Sequence, residues 1–84
     1  MVTVLFFAAL RESLGTSREL VQIAGPNTTV AMLVESLRQR DGAWSEAFAP
    51  GRSWRVAVNQ RMASLATPLA AGDEVAFFPP VTGG

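Results

Sequence analysis

Hydrophobic and polar residues follow two different periods along this chain, and the changes of period mark the predicted elements. Residues 2–8 (VTVLFFA) are largely β-branched or aromatic and are apolar on both faces, which is typical of a buried central strand. Residues 18–24 (RELVQIA) and 54–60 (WRVAVNQ) instead place alternate side chains on opposite faces, which predicts two further strands. Residues 75–78 (VAFF) form a last apolar strand that ends at two prolines.

One segment between the second and third predicted strands has the period of a helix. Its apolar positions follow the i, i+3, i+4, i+7 pattern and are Val30, Leu33, Val34 and Leu37. We expect Asn27 or Thr28 to cap this helix and residues 41–42 (DG) to end it. Short helical turns are expected at residues 9–15 (ALRESLG), stopped by the glycine, and around residues 44–48. The predicted order is strand, strand, helix, strand, strand, with a brief strand or turn within residues 61–74.

Length and charge limit the classes of protein that this chain can form. With 84 residues, 49% of them hydrophobic, it has enough apolar material for one small domain and one core. Seven acidic residues balance seven basic ones, so no net charge favours a nucleic acid or an anionic membrane as partner. No apolar run approaches the roughly 20 residues of a membrane span, and the first residues lack the basic start of a signal peptide. These features predict a soluble cytoplasmic protein.

The residue types missing from the sequence exclude several kinds of chemistry. The chain has no cysteine and no histidine, and all seven of its basic residues are arginines. Thiolate and imidazole metal sites, disulfides, Ser-His nucleophiles, phosphate-binding loops with a lysine and Schiff-base lysines are therefore excluded. Asp73 and Glu74 are adjacent acidic residues in a predicted turn, and we interpret them as solvated rather than as a general acid and base. We expect this chain to bind no cofactor or metal and to have no active site of its own.

Three segments resemble the small, sulfur-carrying subunits of molybdopterin synthase, which are ubiquitin-like β-grasp proteins. They are VLFFAALRESLG at 4–15, VAVNQ at 56–60 and GDEVAFFPPVTGG at 72–84. The resemblance implies an α+β fold in which a mixed sheet packs on one main helix, with short extra helices. It also implies a β-grasp domain over residues 1–78 and a projecting C-terminal tail over residues 79–84.

The same resemblance assigns the chemistry to the end of the tail. It implies that an E1-like partner uses ATP to adenylate the Gly84 carboxylate, which a sulfur donor then converts to a thiocarboxylate. Because the chain has no cysteine, its own side chains cannot carry a persulfide. Gly83 and Gly84 have no Cβ and can enter a narrow channel in a partner. Pro79 and Pro80 stiffen the tail, and the six residues 79–84 reach at most about 20 Å.

The resemblance further implies a docking face beside this tail. It places Phe7, Met62 and Phe78 on that face and Arg11 at its rim, with Pro79, Pro80, Val81 and Thr82 of the tail entering the partner. Parity along a strand permits this arrangement, because adjacent Phe6–Phe7 and Phe77–Phe78 must point to opposite sides of the sheet. The expected partners are the large synthase subunit, in a heterotetramer of two small and two large subunits, and the E1-like adenylating enzyme.

Two alternative functions use the same activation of a terminal glycine. One is a sulfur carrier for another product, such as the thiazole of thiamin. The other is a ubiquitin-like modifier whose Gly84 carboxyl forms isopeptide bonds with lysines of target proteins. A carrier accumulates as a thiocarboxylate, whereas a modifier yields conjugates of higher mass.

Overall fold

Five strands and three helices make up the fold in the computed structural model, which describes residues 1–79. In chain order they are β1 (Val2–Phe6), α1 (Ala8–Leu14), β2 (Arg18–Val21), α2 (Val30–Arg38), α3 (Ala43–Ala47), β3 (Arg55–Val58), β4 (Arg61–Met62) and β5 (Glu74–Phe78). No helix within this part of the chain is long and apolar enough to cross a membrane.

The strands form one mixed sheet in the order β2-β1-β5-β3-β4. β1 and β5 lie side by side and run parallel, with Val4 opposite Val75 and Phe6 opposite Phe77. The other neighbouring strands pair antiparallel. β1 lies inside the sheet, as its nearly continuous apolar sequence predicts, but burial on both faces is wrong: Val2, Val4 and Phe6 are buried, whereas Thr3 and Leu5 are only half-buried. The mixed sheet and its main helix confirm the predicted β-grasp fold class.

The main helix covers one side of the sheet, which we call the inner face; the opposite side is the outer face. Buried residues of α2 are Val30, Leu33, Val34 and Leu37, the four predicted from the helical period. Between helix and sheet lies an aromatic cluster centred on Phe77, whose ring centre is 6.1 Å from that of Phe6, 5.2 Å from Phe48 and 5.3 Å from Trp54. This cluster and the aliphatic residues around it form the core.

The predicted caps of α2 are wrong by one residue at its start and by several at its end. Thr29 is the N-cap, and its hydroxyl accepts a hydrogen bond from the Met32 N–H. Thr28 cannot take that role because its side chain is buried and its hydroxyl donates to the carbonyl of Gly25. At the other end, α2 stops at Arg38, and Gly42 is instead the N-cap of α3, with a φ of 71°.

Three strands are shorter than the sequence predicts. β1 ends at Phe6, because Ala8 adopts a φ of 53° and turns the chain into α1. β2 ends at Val21 rather than at residue 24. β3 covers only Arg55–Val58, because the next two residues, Asn59 and Gln60, form the turn to β4 with φ values of 51° and 68°. Tight hairpin turns require such positive φ values and thereby end the strand.

The last strand begins one residue earlier than predicted. Glu74 belongs to β5 and pairs with Thr3 of β1, so its assignment to a turn is wrong. Asp73 does lie in the preceding turn, where its carboxylate accepts hydrogen bonds from the Ala70 N–H at 2.8 Å and from the Asn59 Nδ2 at 3.0 Å. The Ala70 N–H, followed by the Asn59 amide, holds the pKa of Asp73 below its ordinary value. The carboxylate thereby links this turn to the β3–β4 hairpin.

Candidate functional site

The outer face of the sheet is an open apolar surface, and strand register shows which residues form it. Leu5 of β1 lies opposite Ala76 of β5, Ala76 lies opposite Ala57 of β3, and Ala57 lies opposite Met62 of β4. These four side chains form one row across four strands. The two middle residues, Ala76 and Ala57, have short side chains. The row is therefore shallow at its centre, between the larger side chains of Leu5 and Met62.

Phe7 lies on this face at the end of β1. Its backbone is still extended, with φ −119° and ψ 153°, and its N–H donates to the carbonyl of Phe77 at 3.1 Å. Because side chains alternate along extended backbone, Phe7 points away from the side that Phe6 occupies. The result is a sharp difference in exposure between neighbours: 46% for Phe7 and 1% for Phe6. The structure therefore separates this pair as parity predicts.

Phe78 is also on the outer face, but it is half-buried rather than fully exposed. It pairs with Arg55 of β3, while its neighbour Phe77 is completely buried on the inner face. Since β1 and β5 are adjacent and parallel, Phe7 and Phe78 lie at the same end of the sheet. That end is also where Pro79 follows the last strand.

Met62 and Arg11 complete the set of predicted docking residues within the described chain. Met62 is 61% exposed and lies opposite Ala57, on the row defined above. Arg11 is exposed on α1, the helix whose N-cap is Phe7. The structure thus places Phe7, Met62 and Phe78 on one face and Arg11 on the helix that follows Phe7.

Sequence reasoning missed the cleft that meets the base of the tail. Pro79 lies against a depression of about 340 Å³ between α1 and α3, whose other lining residues are Ala9, Leu10, Ser13, Ala47, Arg52 and Ser53. These residues come from three separate parts of the chain, and no local pattern links them. The other predicted tail residues, Pro80, Val81, Thr82, Gly83 and Gly84, lie outside the described residues.

The small residues of the outer face, Ala57 and Ala76, were also missed as site residues. A signal for them exists in the sequence, because Ala57 lies between Val56 and Val58 and Ala76 lies between Val75 and Phe77, so alternation along each strand directs both alanines to the outer face. Among the described residues, no group of three or more acidic side chains has the geometry to hold a metal ion. The arrangement offers a surface for another protein.

Comparison with known proteins supports the same interpretation. The chain is 44% identical to the molybdopterin synthase sulfur carrier subunit of Escherichia coli (strain K12) over 84 residues, which cover 100% of both chains. SAMP1 from Haloferax volcanii, a small archaeal modifier protein, has a TM-score of 0.79 at 32% identity, covering 99% of this chain and 98% of its own.

A third comparison involves a protein solved together with a partner. One chain in the protein–protein complex of subunits 1 and 2 of molybdopterin-converting factor from Helicobacter pylori 26695 has a TM-score of 0.67 at 26% identity, covering 99% of this chain and 97% of that one. The model of the ThiS family matches residues 4–84 of this chain. The chain therefore belongs to the ThiS family, and it is similar over its full length to molybdopterin synthase sulfur carrier subunits.

Proposed function

We propose that this chain is the sulfur carrier subunit of a molybdopterin synthase. The observation that carries the proposal is the 44% identity over the whole chain to a carrier subunit of that name, a span that includes the tail as well as the domain. The outer face supports it, because a carrier must dock on other proteins and this face presents exposed Phe7 and Met62 near the base of the tail.

In the proposed reaction, Gly84 carries the sulfur. Its α-carboxylate has an ordinary pKa near 3.5, so it is an anion at neutral pH and a poor electrophile. An E1-like partner attaches the carboxylate to the α-phosphorus of ATP and releases pyrophosphate, which makes the acyl carbon reactive. A sulfur donor then displaces AMP and leaves a thiocarboxylate. The carrier delivers this sulfur to a cyclic pyranopterin phosphate, where the dithiolene is built, and regains its carboxylate.

We further propose that the large synthase subunit docks on the outer face and receives residues 79–84. Phe7, Phe78 and Met62 provide the apolar contact, and Arg11 provides a polar contact at its edge. Gly83 and Gly84 lack a Cβ and can pass through a narrow channel to the partner's active site. Two carriers and two large subunits would form a heterotetramer in the cytoplasm. In this scheme the carrier itself binds no cofactor, and ATP is used by the activating partner.

Variants at Gly84 test this proposal directly. After incubation with the activating enzyme, ATP and a sulfur donor, the intact mass of the protein should show one oxygen replaced by sulfur. Deleting Gly84 withdraws the acyl carbon by about 3.3–3.6 Å, and a misplacement of even about 1 Å can lower a rate roughly a hundredfold. Adding one alanine after Gly84 replaces the reactive carboxylate with an amide at that position.

Both tail variants should keep the thermal stability of the wild type and lose dithiolene formation. Following AMP release and product separately distinguishes failure of activation from failure of delivery. A substitution far from the tail and the outer face, Arg38→Gln on α2, serves as the control and should leave both reactions unchanged. If the protein without Gly84 made product at the normal rate, the proposed function would be wrong.

The same assay separates the two alternative functions. A ubiquitin-like modifier, the function suggested by the name of the small archaeal modifier protein, would appear as lysine-linked conjugates of higher mass. A carrier for thiamin or another pathway would form the thiocarboxylate but would not yield dithiolene with the large synthase subunit.

A further inference from the structure

The seven arginines of this protein lie in three environments. Arg38 is bonded to Glu35 at 2.6 Å and Arg40 to Glu19 at 2.8 Å, and both pairs lie on the helix side of the sheet. Arg52 donates its Nε–H to the carbonyl of Glu46. Within residues 1–79, the remaining four arginines make no ion pair; they are Arg11, Arg18, Arg55 and Arg61.

Register places two of these four arginines on the outer face. Arg18 of β2 lies opposite Leu5, at one end of the apolar row, and Arg55 of β3 lies opposite Phe78. Arg61 lies opposite Val58, whose side chain faces the inner side, so it does not belong to this face. Glu74 is the acidic strand residue on the outer face, and it is four residues from Phe78 along β5, about 13 Å away. The protein is neutral overall, yet the tail end of its docking face is cationic.

Arg55 has the more favourable position of the two. It lines a groove together with Met62 and Leu65, both exposed apolar side chains, and it is the cross-strand neighbour of Phe78. An arginine at the border of an apolar patch matches the composition of protein–protein interfaces, in which arginine and methionine are enriched. Its planar guanidinium can bind a carboxylate through two parallel hydrogen bonds.

We infer that Arg55, aided by Arg18, selects a partner whose apolar contact surface is bordered by carboxylates, and that a carboxylate of the large synthase subunit pairs with Arg55 beside Phe78. The inference rests on the proposed function, because it assigns the charge of the surface that the large subunit presents. A nucleic acid fits this face less well, since its centre consists of exposed apolar side chains rather than a continuous basic stripe.

Charge at the border of an interface acts chiefly on the rate of association. Arg55→Gln should therefore lower the association rate constant for the large subunit roughly threefold to tenfold at low ionic strength. The difference should disappear near 1 M salt, where the screening length falls to about 3 Å. Arg55→Glu should slow association further. Arg55→Lys keeps the charge and should remain close to the wild type in association rate.

The experiment is stopped-flow association of the full-length carrier with the large subunit of the same organism, at several salt concentrations. The matched control is Arg38→Gln, which removes the same charge on the helix side and should leave the rate unchanged. Thermal unfolding of each variant verifies that the fold is intact. At saturating large subunit, the Arg38→Gln protein should form product at the wild-type rate, because neither the tail nor the outer face is altered.

Four results would overturn the inference. Equal association rates for Arg55→Gln and the wild type at low salt, with normal product formation, would refute the role of Arg55 and leave the proposed function standing. A rate deficit that persists unchanged at high salt would mean that packing, not charge, is responsible. Arg55-dependent binding of a single-stranded oligonucleotide, with no effect on the large subunit, would assign the cationic surface to nucleic acid. If the wild-type carrier neither bound the large subunit nor made product, the proposed function would fail as well.

Discussion

Both faces of the sheet carry phenylalanines, but these are buried in the core on the inner face and accessible to solvent on the outer face. On the inner face, Phe6 and Phe77 are 1% and 0% exposed and contact each other with ring centres 6.1 Å apart. On the outer face, their sequence neighbours Phe7 and Phe78 remain exposed or half-buried beside two alanines. A pair of adjacent phenylalanines thus contributes one ring to the core and one to the surface. Aromatic content alone says nothing about which ring stabilises the fold and which binds a partner.

The largest effect on stability is expected from removing a core side chain on the inner face. Phe77→Ala removes the ring at the centre of the aromatic cluster and should lower the free energy of unfolding by about 3–5 kcal/mol, because the surrounding rings cannot close the cavity. Chemical denaturation measures this loss. A decrease below about 1 kcal/mol would show that the cluster is loosely packed and that the contrast between faces is weaker than the structure indicates.

A matched substitution on the outer face should act on binding instead. Phe78→Ala leaves the inner cluster in place and should cost about 1 kcal/mol of stability, since the ring is only half-buried. Affinity for the large synthase subunit should fall by about 2 kcal/mol, roughly thirtyfold. Phe7→Ala should behave in the same way. Calorimetric titration and thermal unfolding of the same samples separate the two quantities, and a loss of stability without a binding defect would contradict the division.

A smaller effect is expected at the start of the helix that covers the inner face. Thr29→Ala removes the hydroxyl that accepts the Met32 N–H and should lower the free energy of unfolding by about 0.5–1 kcal/mol. Thr29→Ser keeps the hydroxyl and is the control. Affinity for the large subunit should not change, because the cap is remote from the outer face. A binding defect in the alanine variant would show that the helix side also contacts that partner.

The smallest effect concerns Asp73, in the turn before β5. Its pKa is lowered in the folded protein, so its ionised form adds stability above its ordinary pKa of 3.8, and this stability is lost as the pH falls through the lower folded value. Asp73→Asn should therefore be slightly less stable than the wild type at neutral pH and equally stable in strong acid. Urea unfolding at both pH values measures the difference. A gap between the two proteins that stays constant with pH would exclude ionisation as its cause.

Much of this molecule could be predicted from local pattern. The helical period identified all four buried residues of α2, and alternation required Phe6 and Phe7, and likewise Phe77 and Phe78, to face opposite sides. The ends of elements were less predictable. The N-cap of α2 is Thr29 rather than the predicted Thr28, because the Thr28 hydroxyl donates its hydrogen bond to the Gly25 carbonyl. β1 ends earlier than predicted because Ala8 adopts a positive φ. Both causes are specific contacts or angles that composition does not encode.

By itself, the sequence determined the order of the main elements, the composition of the core, the exclusion of thiolate and imidazole chemistry, and the family through its three resembling segments. Those properties depend on residue type and on spacing along the chain. Tertiary structure alone decided which strands became neighbours, and therefore that Met62 lies in line with Ala57 and Ala76 and that Arg55 lies beside Phe78. It also placed Pro79 against the cleft between α1 and α3. Strand neighbours are chosen by the burial of the whole inner face at once, so residues far apart in sequence meet on the outer face only after the fold has formed.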